Sequence, residues 1–322
     1  MAQHFLLSAE ARTLSLKEIY KGGEGKAYET FRKLRWQQTE GQPVCPKCGC
    51  LDHYEISTRR KFKCAACHAQ FSVTSGTIFA SRKLGFCDLL AVICIFVNAS
   101  KGLSALQLSR DLDVQYKTAW VMAHKLREAL AVETADEIFD GEVEIDGAYF
   151  GGHVRPENRK EDRKDRRFKS NQSDRRRVVI ALRERQGRTI TFVRKTEAEG
   201  VEIAKARVTA KAMIFADEAT HWDALEMHYD TGRINHSELY SECNGKHTNG
   251  VESYFSRLRR MVQGQHHHVS HKYLYQYANH AAWMEDHRRR SNGANAFSLL
   301  GGSLAHPVSR TWKGYWQRAN AA

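Results

Sequence analysis

The spacing of apolar residues changes period several times along the chain. A partial helical face (Leu14, Leu16, Ile19, Tyr20, then Phe31, Leu34 and Trp36) occupies residues 1–40, a helical lead that carries no chemistry. Short alternating stretches at 54–56, 62–64 and 71–73 predict small strands. Helical spacing returns at Leu89, Leu90, Ile93, Phe96 and Val97, with Cys87 and Cys94 inside the apolar pattern. Two further helices are expected over 102–112 and 115–127, separated by a break at Asp113-Val114. Beyond residue 141 the pattern becomes mixed. Residues 142–150 alternate as a strand, 177–182 and 189–193 form a hairpin about Gln186-Gly187, and 212–217 is an apolar strand ending in an acid. A helix over about 248–262 and a last helical region with Tyr273, Leu274, Tyr277 and Trp283 complete the series.

This order gives a multidomain α+β and α/β chain. The expected units are a helical lead (1–40), a cysteine-rich ribbon (41–80), a helical region resembling a helix-turn-helix (81–135), a mixed α/β domain (136–292) and a C-terminal tail (293–322). In a helix-turn-helix, Gln115, Tyr116, Lys117 and Thr118 would open the second helix and face a DNA groove; a plain helical hairpin fits the same pattern. Strand, hairpin, strand and helix, with acids at strand ends, suggest an RNase H-like fold for the α/β part.

Composition narrows the partner. The 322 residues hold 50 Lys plus Arg against 37 Asp plus Glu, a net charge of +13, which favours a polyanion. The longest apolar stretch, around 89–97, is too short to span a bilayer, and the first residues lack a secretory pattern. A soluble intracellular protein with nucleic acid as its partner, and no membrane, is the expectation. The run from Arg155 to Arg177 holds eleven Lys/Arg against five Asp/Glu; it can clamp DNA or be a solvated loop. Arg288–Arg290 adds a second short basic segment.

Of eight cysteines, five lie between 45 and 67. Cys45-Pro-Lys-Cys48 and Cys64-Ala-Ala-Cys67, fifteen residues apart, have the spacing of two zinc knuckles. Four thiolates leave no open position for water, so the zinc would be structural. Cys50 is a bystander, and His53 and His68 are alternative ligands that the spacing does not favour. The run His266-His267-His268 is read as a loop rather than a metal cluster.

Three acids stand out by position. Asp146 ends the first strand of the α/β part, Asp217 ends the apolar strand, and Glu252 lies on the helix that follows. Carboxylates gathered at strand ends repel one another, and a pair of divalent cations, Mg²⁺ or Mn²⁺, relieves that repulsion and activates oxygens around phosphorus. Val251, Phe255, Leu258 and Val262 form an apolar stripe beside Glu252, Ser256 and Arg259, so the helix can dock while presenting Glu252 at its edge. A surface Glu252–Arg259 pair fits the same spacing. Glu142, Glu144 and Glu218 compete with the two aspartates, and alternation puts Glu144 on the Asp146 face. Asn249 is the expected N-cap of the helix.

The motifs resemble those of the ISXO2-like transposases, the IS1595 family. The likeness runs through Cys45-Pro46-Lys47-Cys48-Gly49, Glu144–Gly152, Ala216-Asp217-Glu218, His247–Arg260 and Gly264–Ser270. It implies an RNase H-like catalytic domain with Asp146, Asp217 and Glu252 as the metal-binding acids. Relatives often carry Lys seven residues after the third acid, where this chain has Arg259; some have Asn at the third acid, where this chain keeps Glu. Arg259 is thereby a candidate phosphate contact, and Arg257 and Arg260 candidate DNA contacts. The resemblance further implies cleavage of double-stranded DNA at element ends, strand transfer into a target, a homo-oligomer on DNA, and a bacterial-type cytoplasmic location at the nucleoid. Two rivals predict other outcomes: a DNA-binding regulator without catalysis, and an RNase H-like nuclease that cuts without joining.

Overall fold

A computed structural model describes residues 4–152, 157–165, 168–171, 173–234 and 247–319. Its helices are α1 (Leu16–Arg35), α2 (Phe86–Asn98), α3 (Ala105–Asp111), α4 (Tyr116–Val132), α5 (Gly200–Arg207), α6 (Asn249–Arg260), α7 (Leu274–Asp286) and α8 (Asn292–Ala305). Strands β1 (His53–Ile56), β2 (Lys61–Cys64) and β3 (Gln70–Phe71) form one sheet. Strands β4 (Glu142–Phe150), β5 (Arg177–Glu184), β6 (Thr189–Arg194), β7 (Met213–Asp217) and β8 (Asp230–Ile234) form another. The chain divides into two compact units, 1–133 with 287–322, and 134–286. Among the described residues, no helix is long and apolar enough to cross a membrane.

In the first unit the three-stranded antiparallel sheet leans on Trp36 at the end of α1. The indole meets Phe62 and Phe71 edge-on at 5.7 and 6.4 Å. The helical core is aromatic: Phe31, fully buried, contacts Phe79 and Phe86 at 5.9 and 5.1 Å. Burying a phenyl side chain is worth roughly 1.5–3 kcal/mol, which makes this cluster the anchor of α1 on α2. Cys87 and Cys94 are buried in α2, as their apolar setting predicted. Between α3 and α4 the chain turns through Asp113, whose φ is +49°. Residues 293–322, expected as a tail, contain α8, and Leu299, Leu300 and Leu304 bury its inner face against α1, α2 and α4. The sequence disguised this helix because its outer face is built of Gly, Ser and Ala rather than charge.

A carboxylate from α1 closes the start of α2. Gly85 at the N-cap has no side chain to offer, and Glu24 accepts the Phe86 and Cys87 amides at 2.8 and 2.9 Å. Two of the four amides orphaned at a helix start are thereby satisfied by a negative group that also matches the helix dipole.

In the second unit the sheet order is β6-β5-β4-β7-β8. Strands β4, β5 and β6 are antiparallel neighbours, while β7 and β8 run parallel to β4. The hairpin of β5 and β6 turns at Gln186, φ +61°, as expected. Strand β8 was not expected: Asp230-Thr-Gly-Arg-Ile234 is a short polar edge strand, paired on one side only, and lacks an apolar alternation. One face of the sheet (Val143, Ile145, Ile180, Ile214) packs under α5 and the buried Trp222. The other carries Ala148, Val179, Ala181 and Thr191 and is covered by α6 and α7. Thr191 bonds Asn279 of α7 at 3.1 Å, and Asp286 takes Arg183 at 3.0 Å and the Thr189 amide at 2.9 Å.

Because Glu24 is the side chain that closes α2, Glu24→Ala is expected to lower the stability of the first unit by about 1 kcal/mol. Chemical denaturation followed by far-UV circular dichroism measures it; an unchanged midpoint contradicts the capping role.

Candidate metal centres and acidic site

The four predicted thiols converge. Cys45, Cys48, Cys64 and Cys67 offer sulfur atoms that all lie within 4.8 Å of one another, with Cys45–Cys67 at 3.6 Å and Cys48–Cys64 at 3.5 Å. Tetrahedral zinc with Zn–S bonds of about 2.3 Å needs sulfur separations of about 3.8 Å, so the cluster fits. The two knuckles repeat one design. The Gly49 amide returns to Cys45 O at 2.9 Å, and the His68 amide to Cys64 O at 3.1 Å. Gly49 and His68 accordingly have φ of +74° and +56°. His68 is thereby a turn residue rather than a ligand. The Cys67 amide pulls the Cys64 thiol down to about 6. Cys48 is pushed up to about 12 by Cys67 and Cys64, although the Cys50 amide opposes this. One proton cannot be shared comfortably among four crowded sulfurs, whereas a dication satisfies all four. Cys50 points away, its thiol against Asp52 O at 3.8 Å, and Cys243 lies outside the described residues.

The acids occupy the second unit. Parallel pairing of β4 with β7 sets Val143 against Ile214 and Glu144 against Phe215. Asp146, midway along β4, and Asp217, the last residue of β7, each lie two residues beyond this last pair, where the two strands no longer pair; the expectation that Asp146 ends its strand is thereby corrected, since β4 runs on to Phe150 along β5. Burial, above all, raises the Asp146 carboxyl to about 7; Asp217 and Glu197 add to the rise, while the Gly147 amide (2.7 Å) and Arg259 oppose it. Arg259, exposed on α6 with its guanidinium 5.7 Å from the Phe255 ring, therefore belongs to the same electrostatic group. Asp217 accepts the Ala219 amide at 3.2 Å.

Glu197 is a site residue that sequence reading missed. Its carboxylate fills the space where a Cβ on Gly147 would stand, 2.1 Å from Glu197 Oε1, so glycine at 147 is what admits it. Burial and then Asp217 raise its pKa, and His221 Nε2 lies 3.9 Å from it. The Gly147 beside Asp146 was the available signal: a residue without a side chain inside a strand marks a close approach.

Glu252 rides on the first turn of α6, half-buried, with the Thr248 hydroxyl 3.4 Å from its carboxylate. Among the described residues, the four cysteines are the one set of three or more His, Cys, Asp or Glu side chains placed to share a metal ion, and the three acids are not gathered into such a set. Oxygen donors alone suit a hard divalent cation.

Glu144, left open as a competitor, is turned inward with its side chain 1% exposed. It accepts the Val251 amide at 2.8 Å, Arg185 Nε at 3.3 Å, and has His247 Nδ1 at 3.2 Å. The expected Asn249 cap is corrected: Thr248 occupies the N-cap without a side-chain cap bond, and Glu144 accepts the Val251 amide from another element. The stripe of Val251, Phe255 and Leu258 is buried together with Tyr254, and the helix continues into a π-helical turn at Met261–His266. Arg257, a candidate DNA contact, is paired with the buried Glu285 of α7 at 2.8 Å and keeps part of its side chain exposed. Arg260 is exposed and bonds Ser256 at 2.8 Å.

In the first unit Gln115, Tyr116 and Lys117 are exposed at the start of α4, and Thr118 is half-buried. Lys117 Nζ lies 5.3 Å from the Trp316 ring centroid. Of the basic run 155–177, residues 155, 156, 166, 167 and 172 lie outside the described residues. His266 packs its ring on Tyr277 at 4.7 Å, while His267 and His268 line a cavity of about 760 Å³ with Arg175 and Lys272.

Two family models match. The ISXO2-like transposase domain covers residues 138–286, and the transposase zinc-ribbon domain covers residues 22–70. Together they span well over half of the sequence, and the chain belongs to the ISXO2-like family of insertion-sequence DNA transposases. A solved structure, "Crystal structure of the Mos1 Strand Transfer Complex", aligns with 66% of this chain and 78% of its own at 9% identity. Its TM-score of 0.21 is too low to carry an argument. No curated protein matches.

The cysteine cluster predicts one zinc per chain, measurable by atomic absorption on the purified protein. Cys64→Ser is expected to lose the metal and expose residues 41–80 to protease; a metal-free wild type with a protease-resistant ribbon contradicts the site.

Proposed function

We propose that Asp146, Asp217 and Glu252 bind Mg²⁺ or Mn²⁺ and that the second unit cleaves DNA at the element ends and joins the freed 3′-hydroxyl to a target. The observation that carries this reading is the placement of Asp146, midway along β4, near Asp217 at the end of the neighbouring parallel strand β7, with the Asp146 carboxyl raised to about 7 by burial and by its acidic neighbours. Glu252 is the third ligand of the family motif, carried on the helix that packs against β4. When bound, the divalent ion neutralises the acids and polarises the oxygens of a phosphodiester. Arg259, close enough to Asp146 to lower its pKa, holds a phosphate oxygen as a guanidinium fork. Glu197 keeps a second negative wall beside Gly147 and, with His221, orders the approach to Asp217.

The sheet order β6-β5-β4-β7-β8 supports an RNase H-like fold for this unit. The α3–α4 pair supports a helix-turn-helix that reads element ends through Gln115, Tyr116, Lys117 and Thr118. Arg260 contacts the backbone of bound DNA. The protein acts as a homo-oligomer on DNA in the cytoplasm, at the nucleoid.

Strand transfer of a labelled element end by purified protein tests the acids. Asp146→Ala, Asp217→Ala and Glu252→Ala are each expected to lower the rate by on the order of 10³-fold while end binding persists. Full activity of Asp146→Ala overturns the assignment, and products cut but never joined favour a nuclease. For end recognition, Lys117→Ala is expected to reduce the salt dependence of binding by about one counterion, read from the slope of log K against log salt. An unchanged slope removes Lys117 from the interface.

A further inference from the structure

Glu144 and Asp146 lie two residues apart on β4 and share one face of the sheet, yet their surroundings differ completely. Asp146 faces other acids and Arg259. Glu144 takes a hydrogen bond from an amide and one from a guanidinium, with an imidazole beside it. One carboxylate oxygen accepts the amide of Val251, the third residue of α6, at 2.8 Å. The other meets Arg185 Nε at 3.3 Å and His247 Nδ1 at 3.2 Å. Arg185 is itself fixed: it bonds His247 O at 2.9 Å and Glu142 at 2.8 Å, and lies 3.9 Å from the Phe215 ring centroid. A carboxylate on β4 thus ties together the end of β5, the entry to α6 and the helix itself. Gly250 fits the same clamp, since a Cβ there would stand 2.8 Å from Glu144 Oε2.

We propose that Glu144 is a positioning residue: it locks the first turn of α6 onto β4, and so fixes Glu252 relative to Asp146. This rests on the reading of those two acids as metal ligands. The residue after the clamped Val251 is Glu252, and the second residue after Glu144 is Asp146, so the hydrogen bond couples the backbone next to one acid to the strand that carries the other. A charged acceptor at a helix start both satisfies an orphan amide and suits the dipole, and its removal frees the turn. Glu144 is not a ligand in this account, because its oxygens are already turned to Val251, Arg185 and His247.

The test uses full-length Glu144→Gln and Glu144→Ala. Gln keeps a single acceptor oxygen that cannot serve both sides of the clamp. Two readouts separate positioning from simple stabilisation: hydrogen exchange at the Val251 amide without metal, and calorimetric titration with Mn²⁺. Both variants, or Glu144→Gln alone where Glu144→Ala does not fold, are expected to exchange Val251 faster. Mn²⁺ affinity is expected to fall by about 10-fold at unchanged stoichiometry, as when the partners that orient metal ligands are lost. Strand transfer is expected to recover in part at saturating Mn²⁺. A lower melting temperature with wild-type Mn²⁺ affinity overturns the proposal, as does wild-type exchange at Val251. Loss of a metal equivalent overturns it too, by making Glu144 a ligand. Glu252→Ala, titrated in parallel, isolates the underlying reading: undiminished Mn²⁺ binding there sinks the triad, whereas a Glu252-dependent signal untouched by Glu144→Gln sinks only the clamp.

Discussion

Asp146 and Asp217 stand on neighbouring parallel strands, and their repulsion adds to burial in raising the Asp146 carboxyl. Pairing of Asp146 with Ala181 of β5 and of Asp217 with Ile234 of β8 holds each acid in the sheet. Much of the second unit is arranged around that stress. Gly147 lets a further acid, Glu197, come against the strand beside Asp146. Arg259 reaches in from α6 with opposite charge.

Charge is used in a second way, as a fastener between elements. Glu24 closes α2 from α1, Glu144 closes α6 from β4, and Glu285 on α7 holds Arg257 of α6. In each case a carboxylate meets amides or a guanidinium that would otherwise be stranded at a packed surface, which is costly enough to fix the geometry. The same residue type, glutamate, is therefore structural in one place and exposed to chemistry in another, and its neighbours decide which.

This explains how far the sequence could be read. The zinc cluster was legible because its ligands are local: two residues between cysteines in each knuckle set the turn. The hairpin and the α6 stripe were legible because periodicity reports burial directly. Glu144 and Asp146 were not separable, since alternation gives them the same face and the distinction comes from Val251, more than a hundred positions away. The Arg257–Glu285 pair was hidden because the partner lies on the next helix. Glu197 hid in a polar stretch between strands, β8 in a polar edge, and α8 in small residues read as a tail. Long-range partners, rather than propensities, decided every one of these.

The central claim is that the middle of β4 and the end of β7, with α6, form one metal-binding site. Anomalous diffraction from crystals soaked in Mn²⁺ tests it most directly. The account predicts a signal bound by Asp146 and Asp217 with Glu252 drawn in as the third ligand, and Glu144 still bonded to the Val251 amide. A signal ligated by Glu144, or Mn²⁺ found only away from Asp146 and Asp217, would contradict it.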